Sequence, residues 1–89
     1  MTDDQFRRAL QSIGMTAFVT HLALFESARS NAEVAGILEQ AEGWTAKACK
    51  SRTSHARRLL HADRRAEALR LIAASRLPEQ VRAAARAAL

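Results

Sequence analysis

The sequence predicts an all-α fold, a compact bundle of five to six short helices that contains a helix-turn-helix-like pair. Three observations carry this expectation. Ala, Leu, Arg and Glu are abundant while Tyr is absent, Pro occurs once and Gly three times, a balance that favours helix over strand. Thr2 with Gln5, and Ser30 with Glu33, have the spacing of capping boxes, which open helices by satisfying free backbone N–H groups reciprocally. Apolar residues then recur every three or four positions, the period of a helix with one buried face.

Taken in order, the first helix follows Thr2, sets Phe6, Leu10 and Ile13 on one side, and ends at Gly14. Glycine adopts the left-handed conformation after a helix most cheaply. A second helix runs over residues 15–28, with Phe18, Leu22 and Phe25 on one face and Ala17 and Leu24 nearly opposite. A helix apolar on most of its circumference belongs at a centre or against another subunit. Ser30 opens the third, with Val34, Ile37, Leu38 and Ala41 as its stripe, and Gly43 closes it.

Thr45 is the expected N-cap of a fourth helix reaching His61, with Trp44 placed to staple onto Cys49. A fifth is expected from Asp63, as N-cap, to Ala74, turning Ala66, Leu69, Ile72 and Ala73 inward. Pro78 suits the first turn of a sixth, in which Val81, Ala85 and Ala88 face in and Arg82 and Arg86 face out. No linker or repeat divides the chain, so residues 1–89 read as a single helical domain.

The composition, 48% apolar and 26% charged, excludes intrinsic disorder. One cysteine, Cys49, leaves no internal disulfide, and a reducing cytoplasm fits best. The opening residues, MTDDQFRR, lack the apolar core of a signal peptide. The longest apolar stretch, Met15 to Phe25, is broken by Thr16, Thr20 and His21 and is too short to cross a bilayer. A cytoplasmic protein without a membrane role is therefore expected.

Charge is unevenly spread. Residues 1–43 carry three arginines against six acids, a net of −3, whereas residues 44–89 carry eleven cations against three acids, a net of +8. Such a surface suits a polyanion or an acidic protein. Its centre is KSRTSHARRLL, residues 50–60, which contains no acid.

At about 100° per residue, Ala48, Cys49, Thr53, Ala56, Leu59 and Leu60 share one arc of the fourth helix, with Arg52 inside it. Lys47, Lys50, Ser51, Ser54, His55, Arg57, Arg58 and His61 lie opposite. An ordinary solvated face mixes in Glu or Asp for pairing one turn away, and none occurs between Thr45 and Ala62. Lys and Arg neutralise phosphates, while Ser, His and Arg also suit hydrogen bonds to base edges. Arg52, on the packing side, has two readings. One is a structural ion pair with Glu33, Glu39 or Glu42; the other is a DNA contact at the edge of the docking face.

Residues 33–60 resemble the promoter-recognition domain of sigma factors, region four. That family carries an EIA-x-x-L helix, a turn ending in Glu-Gly, and a recognition helix of the type KSR-x-x-x-ARxxL. The matching residues are Glu33, Val34, Ala35 and Leu38, then Glu42 and Gly43, then Lys50, Ser51, Arg52, Ala56, Arg57 and Leu60. Here WTAKAC separates Gly43 from Lys50, where the family has a shorter turn. Either the turn is looser or the basic helix begins a turn earlier. The resemblance implies a helix-turn-helix docked in the major groove.

Catalysis is not expected. Cys49 and His55 point about 120° apart on one helix, which rules out a hydrogen-bonded pair on that helix alone. One Cys with the dispersed His21, His55 and His61 does not supply the convergent ligands of a metal site. No glycine-rich phosphate loop is present, and no cofactor or metal is implied.

Two functions follow. In the first, a DNA-binding regulator of transcription, a homodimer, uses the basic helix 45–61 on double-stranded DNA. Lys47, Lys50, Ser51, Ser54, His55 and Arg58 then meet bases or phosphates, and Arg57, Arg64 and Arg65 grip the flanking backbone. In the second, a non-enzymatic interaction module (an adaptor, inhibitor or antitoxin-like protein) presents the basic half and the apolar helix 15–28 to an acidic protein partner.

Overall fold

The computed structural model describes residues 1–89 as seven helices with no strand. They are α1 (Asp3–Ile13), α2 (Met15–Thr20), α3 (Leu22–Phe25), α4 (Asn31–Glu42), α5 (Ala46–His61), α6 (Arg65–Ala73) and α7 (Glu79–Ala88). The Cα radius of gyration, 12.2 Å, matches the roughly 12 Å of a well-packed chain of this length.

Local chemistry sets most of the boundaries. The Thr2 hydroxyl accepts from the Gln5 N–H while the Gln5 side chain accepts from Thr2, and Ser30 and Glu33 repeat the exchange at α4. Thr45 caps α5 by accepting from the Ala48 N–H. Gly14 (φ 86°) and Gly43 (φ 71°) end α1 and α4.

Three boundaries depart from expectation. The segment expected as one helix over 15–28 breaks at His21 and stops at Phe25. The backbone leaves helical geometry at His21 (φ −111°, ψ 20°), and Ala17, Phe18, Leu22 and Phe25 on either side of it are all buried. Asp63 is not the N-cap of α6. It ends α5 in the left-handed conformation (φ 60°), donating to the Leu60 carbonyl, while the Arg64 N–H reaches the Leu59 carbonyl. Those two bonds form a Schellman motif, which satisfies carbonyls left free at a helix end. Pro78 is the N-cap of α7, and its carbonyl accepts from Val81 and Arg82.

A single apolar cluster draws on every helix, from Phe6, Leu10 and Ile13 of α1 to Ile72 of α6 and Ala85 of α7. Inward faces shift slightly from those expected. Ala35 rather than Ala41 is buried on α4, and Ala68 rather than Ala66 on α6. At the centre α5 packs against α1, α4 and α3, while α6 pairs with α7 and α7 packs against α2. Thr53 is the only buried polar residue, and its hydroxyl donates to the Cys49 carbonyl one turn back, 2.8 Å away. No helix is long and apolar enough to cross a membrane.

Candidate nucleic-acid interface

The face of α5 that packs inward is small at its start. Cys49, Thr53, Ala56 and Leu59 are buried, with Ala48, Arg52 and Leu60 half-buried beside them. This fixes the opposite face outward. Lys47, Lys50, Ser51, Ser54, Arg58 and His61 are all exposed and form a row about 21 Å long at 1.5 Å per residue. None of the six side chains has an internal hydrogen-bond or carboxylate partner. The helix begins at Ala46, one turn before Lys50, with only Gly43, Trp44 and Thr45 linking it to α4. The extra residues relative to the sigma-factor pattern therefore extend the basic helix rather than loosen the turn.

The other expected contact residues sit differently. His55 is half-buried, and its Nδ1 is enclosed without a hydrogen-bond partner. Arg57 donates to the Phe25 carbonyl (3.1 Å), the Ser27 carbonyl (3.0 Å) and Asn31 Oδ1 (2.8 Å). Arg64 binds Asp3 (3.0 Å), Glu67 (3.3 Å) and the Met1 carbonyl (3.1 Å), and lies over the Phe6 ring. Arg65 bridges Glu26 (3.0 Å) and the Ala88 carbonyl (2.8 Å).

Arg52 pairs with none of Glu33, Glu39 or Glu42, which corrects the expected ion pair. Its Nη1 donates to the Ile13 carbonyl at 2.8 Å, and its guanidinium lies 4.0 Å from the centre of the Trp44 ring.

A common cause underlies these placements. The last carbonyls of a helix lack intrahelical donors and carry partial negative charge. Arg52 caps the end of α1, Arg57 the end of α3, and Arg65 the end of α7. Arg82 and Arg86 are paired with Glu79, whose carboxyl they hold below its ordinary range, chiefly through the Arg86 hydrogen bond. Of the eleven cations beyond residue 43, Lys47, Lys50, Arg58, Arg70 and Arg76 remain without an internal partner. Three of these five are in the outward row of α5.

Beside that row lies a polar cleft of about 470 Å³, with Ser54, Arg58 and His61 on one wall and Ser27, Arg29 and Asn31 on the other. Arg29 is exposed and only loosely paired with Glu33, at 3.9 Å. A phosphate entering this cleft would meet guanidinium and hydroxyl donors. Its one carboxylate, Glu26, is already bound to Arg65.

No group of three or more His, Cys, Asp or Glu side chains converges as metal ligands would. The Cys49 thiol is buried and points to the Trp44 carbonyl at 3.8 Å. Comparison with protein-family models, with curated proteins and with solved structures finds no match to this chain.

Proposed function

We propose that this protein binds double-stranded DNA through α5 and acts as a small regulator of transcription, with α4 and α5 as a helix-turn-helix-like pair. The observation that carries the reading is the outward row of α5: Lys47, Lys50 and Arg58 interleaved with Ser51, Ser54 and His61, exposed, free of acids and internally unbonded. Phosphate neutralisation supplies the affinity of such a face, while hydroxyl and amine groups at the start of the helix are suited to base edges. Arg58, with Arg29 across the polar cleft, takes the flanking backbone. Arg57, Arg64 and Arg65 keep the bundle closed and are not part of the proposed surface. A second copy on an adjoining half-site sets the two α5 helices one helical turn apart, about 34 Å.

The acidic-protein reading loses part of its support, because Phe18, Leu22 and Phe25 of the 15–28 segment are buried within the chain. The test is fluorescence anisotropy with a random-sequence duplex and the triple variant Lys47→Ala, Lys50→Ala, Arg58→Ala. These side chains are exposed, so the fold survives their loss. Binding should weaken by at least about tenfold, the effect of removing three phosphate contacts. Unchanged binding would sink the proposal.

A further inference from the structure

On another side of the molecule, an open cleft of about 630 Å³ lies between the α1–α2 junction, the α4–α5 turn and the α6–α7 connection. That volume is within the range of small-molecule sites. Its floor and rim are largely apolar: Leu10, Met15, Ala17, Trp44, Leu71 and Leu77. Leu71 is one of the few large apolar side chains left exposed, at 43%.

The polar groups in the cleft are unbalanced. Arg7 lines it, is exposed, and has no acid or acceptor of its own. Arg52 also lines it; its guanidinium lies over Trp44 and its Nη1 is bonded to the Ile13 carbonyl, leaving its other N–H groups without a protein acceptor. The single carboxylate present, Glu42, is taken by His21 Nε2 at 3.1 Å. His21 itself stacks edge-on with Trp44, at 5.9 Å between ring centres. Two unneutralised guanidiniums above an apolar, aromatic floor complement a molecule with a flat apolar body and one negative end.

We propose that this cleft is a binding site for a small aromatic carboxylate, its ring on Leu71 and Leu77 beside the Arg52-covered Trp44 and its carboxylate between Arg7 and Arg52. The site stands apart from the outward row of α5, and the inference holds whether or not α5 meets DNA.

Trp44 is the only tryptophan in the chain, so its emission reports occupancy directly. The probe is 4-phenylbutyrate, with 4-phenylbutanamide as its uncharged counterpart, titrated into the full-length protein. The acid should change Trp44 emission saturably with a dissociation constant below about 1 mM, within reach of a dozen-atom ligand. The amide should bind about tenfold more weakly, as expected for loss of a charged hydrogen bond. Arg7→Gln should weaken the acid but not the amide, and Leu71→Ala should weaken both. Both substituted side chains are exposed, and a thermal melt checks that each variant folds. No saturable change, equal binding of acid and amide, or an Arg7→Gln variant that binds the acid normally would each overturn the proposal. So would a Trp44 shift that follows protein concentration without ligand, together with a doubled mass in light scattering. That result would give the cleft to a second copy of the chain.

Discussion

The guanidinium of Arg52 donates to the carbonyl of Ile13 across 2.8 Å, joining the middle of α5 to the last residue of α1. It also lies over Trp44. A Cβ built on the neighbouring Gly14 would stand 3.3 Å from Nη1, a tight approach that a small shift of the arginine relieves; the glycine itself is demanded by its φ of 86°. Arg52→Met keeps most of the stem but loses the charged hydrogen bond and the stacking, together worth about 2–3 kcal/mol. Arg52→Lys should recover only part of this, because an ammonium cannot both stack on the ring and reach the carbonyl in one plane. Urea denaturation of the three proteins measures both differences.

Asp63 predicts a gain instead of a loss. It holds φ 60° in the Schellman turn that ends α5, a conformation that penalises every residue with a Cβ and favours glycine. Asp63→Gly should raise stability by about 0.5–1 kcal/mol, and Asp63→Val should lower it. A capping role for Asp63 at α6 would reverse the first sign. Thermal melts distinguish the two.

Burial pushes the Cys49 thiol above its ordinary pKa; Glu39 adds to the shift and Arg52 opposes it. The thiolate is the nucleophile, and this one is both suppressed and enclosed. At pH 8 a thiol reagent should label the native protein no faster than it unfolds, and should label it at once in strong denaturant. Fast labelling of the native state would contradict the packing of α5.

Glu33 titrates below its ordinary value of 4.5 because the Ser30 backbone N–H, and then the Ser30 side chain, favour its charged form; Arg29 helps, and desolvation opposes. A carboxyl with a folded pKa below its unfolded one contributes stability above the unfolded value. That contribution is lost as pH falls through the folded value. Stability should therefore decline with acid below about pH 4.5, and Glu33→Gln should flatten the part of the decline due to this capping box. Ser30→Ala should cost about 1 kcal/mol at neutral pH. An acid limb unchanged in Glu33→Gln would show that the box does not act in solution.

What could be read from the sequence was local. The pairs Thr2–Gln5 and Ser30–Glu33, the cap Thr45 and the glycines 14 and 43 all sit where their spacing places them, since each involves neighbours within a turn. The two faces of α5 followed from helical period, except at His55 and Arg57, expected outward and found half-buried. What could not be read depends on partners distant in the chain. Nothing near His21 signals a break, because no Pro or Gly is involved, and Phe18, Leu22 and Phe25 join one core across it. The destinations of Arg52, Arg57 and Arg65 lie 39, 32 and 23 residues away, at carbonyls that carry no sequence signature. A net charge count treats those arginines as equal to Lys47 and Arg58, and only the fold separates them. The cleft around Trp44 was missed for the same reason, since its walls come from residues as far apart as Arg7 and Leu77.

The most direct measurement is the salt dependence of binding to a random-sequence duplex between about 50 and 200 mM salt, for the native chain, the α5 triple variant and Arg65→Gln. Three free cations on α5 together with Arg29 predict a slope of log K against log salt of about −3.6 per bound chain, an affinity loss of roughly 150-fold over that range. The triple variant should lose most of that slope, while Arg65→Gln, whose guanidinium is held by Glu26 and Ala88, should keep it. No binding at tens of micromolar protein in low salt, or a triple variant that binds with the native slope, would contradict the assignment of α5 as a DNA-binding surface.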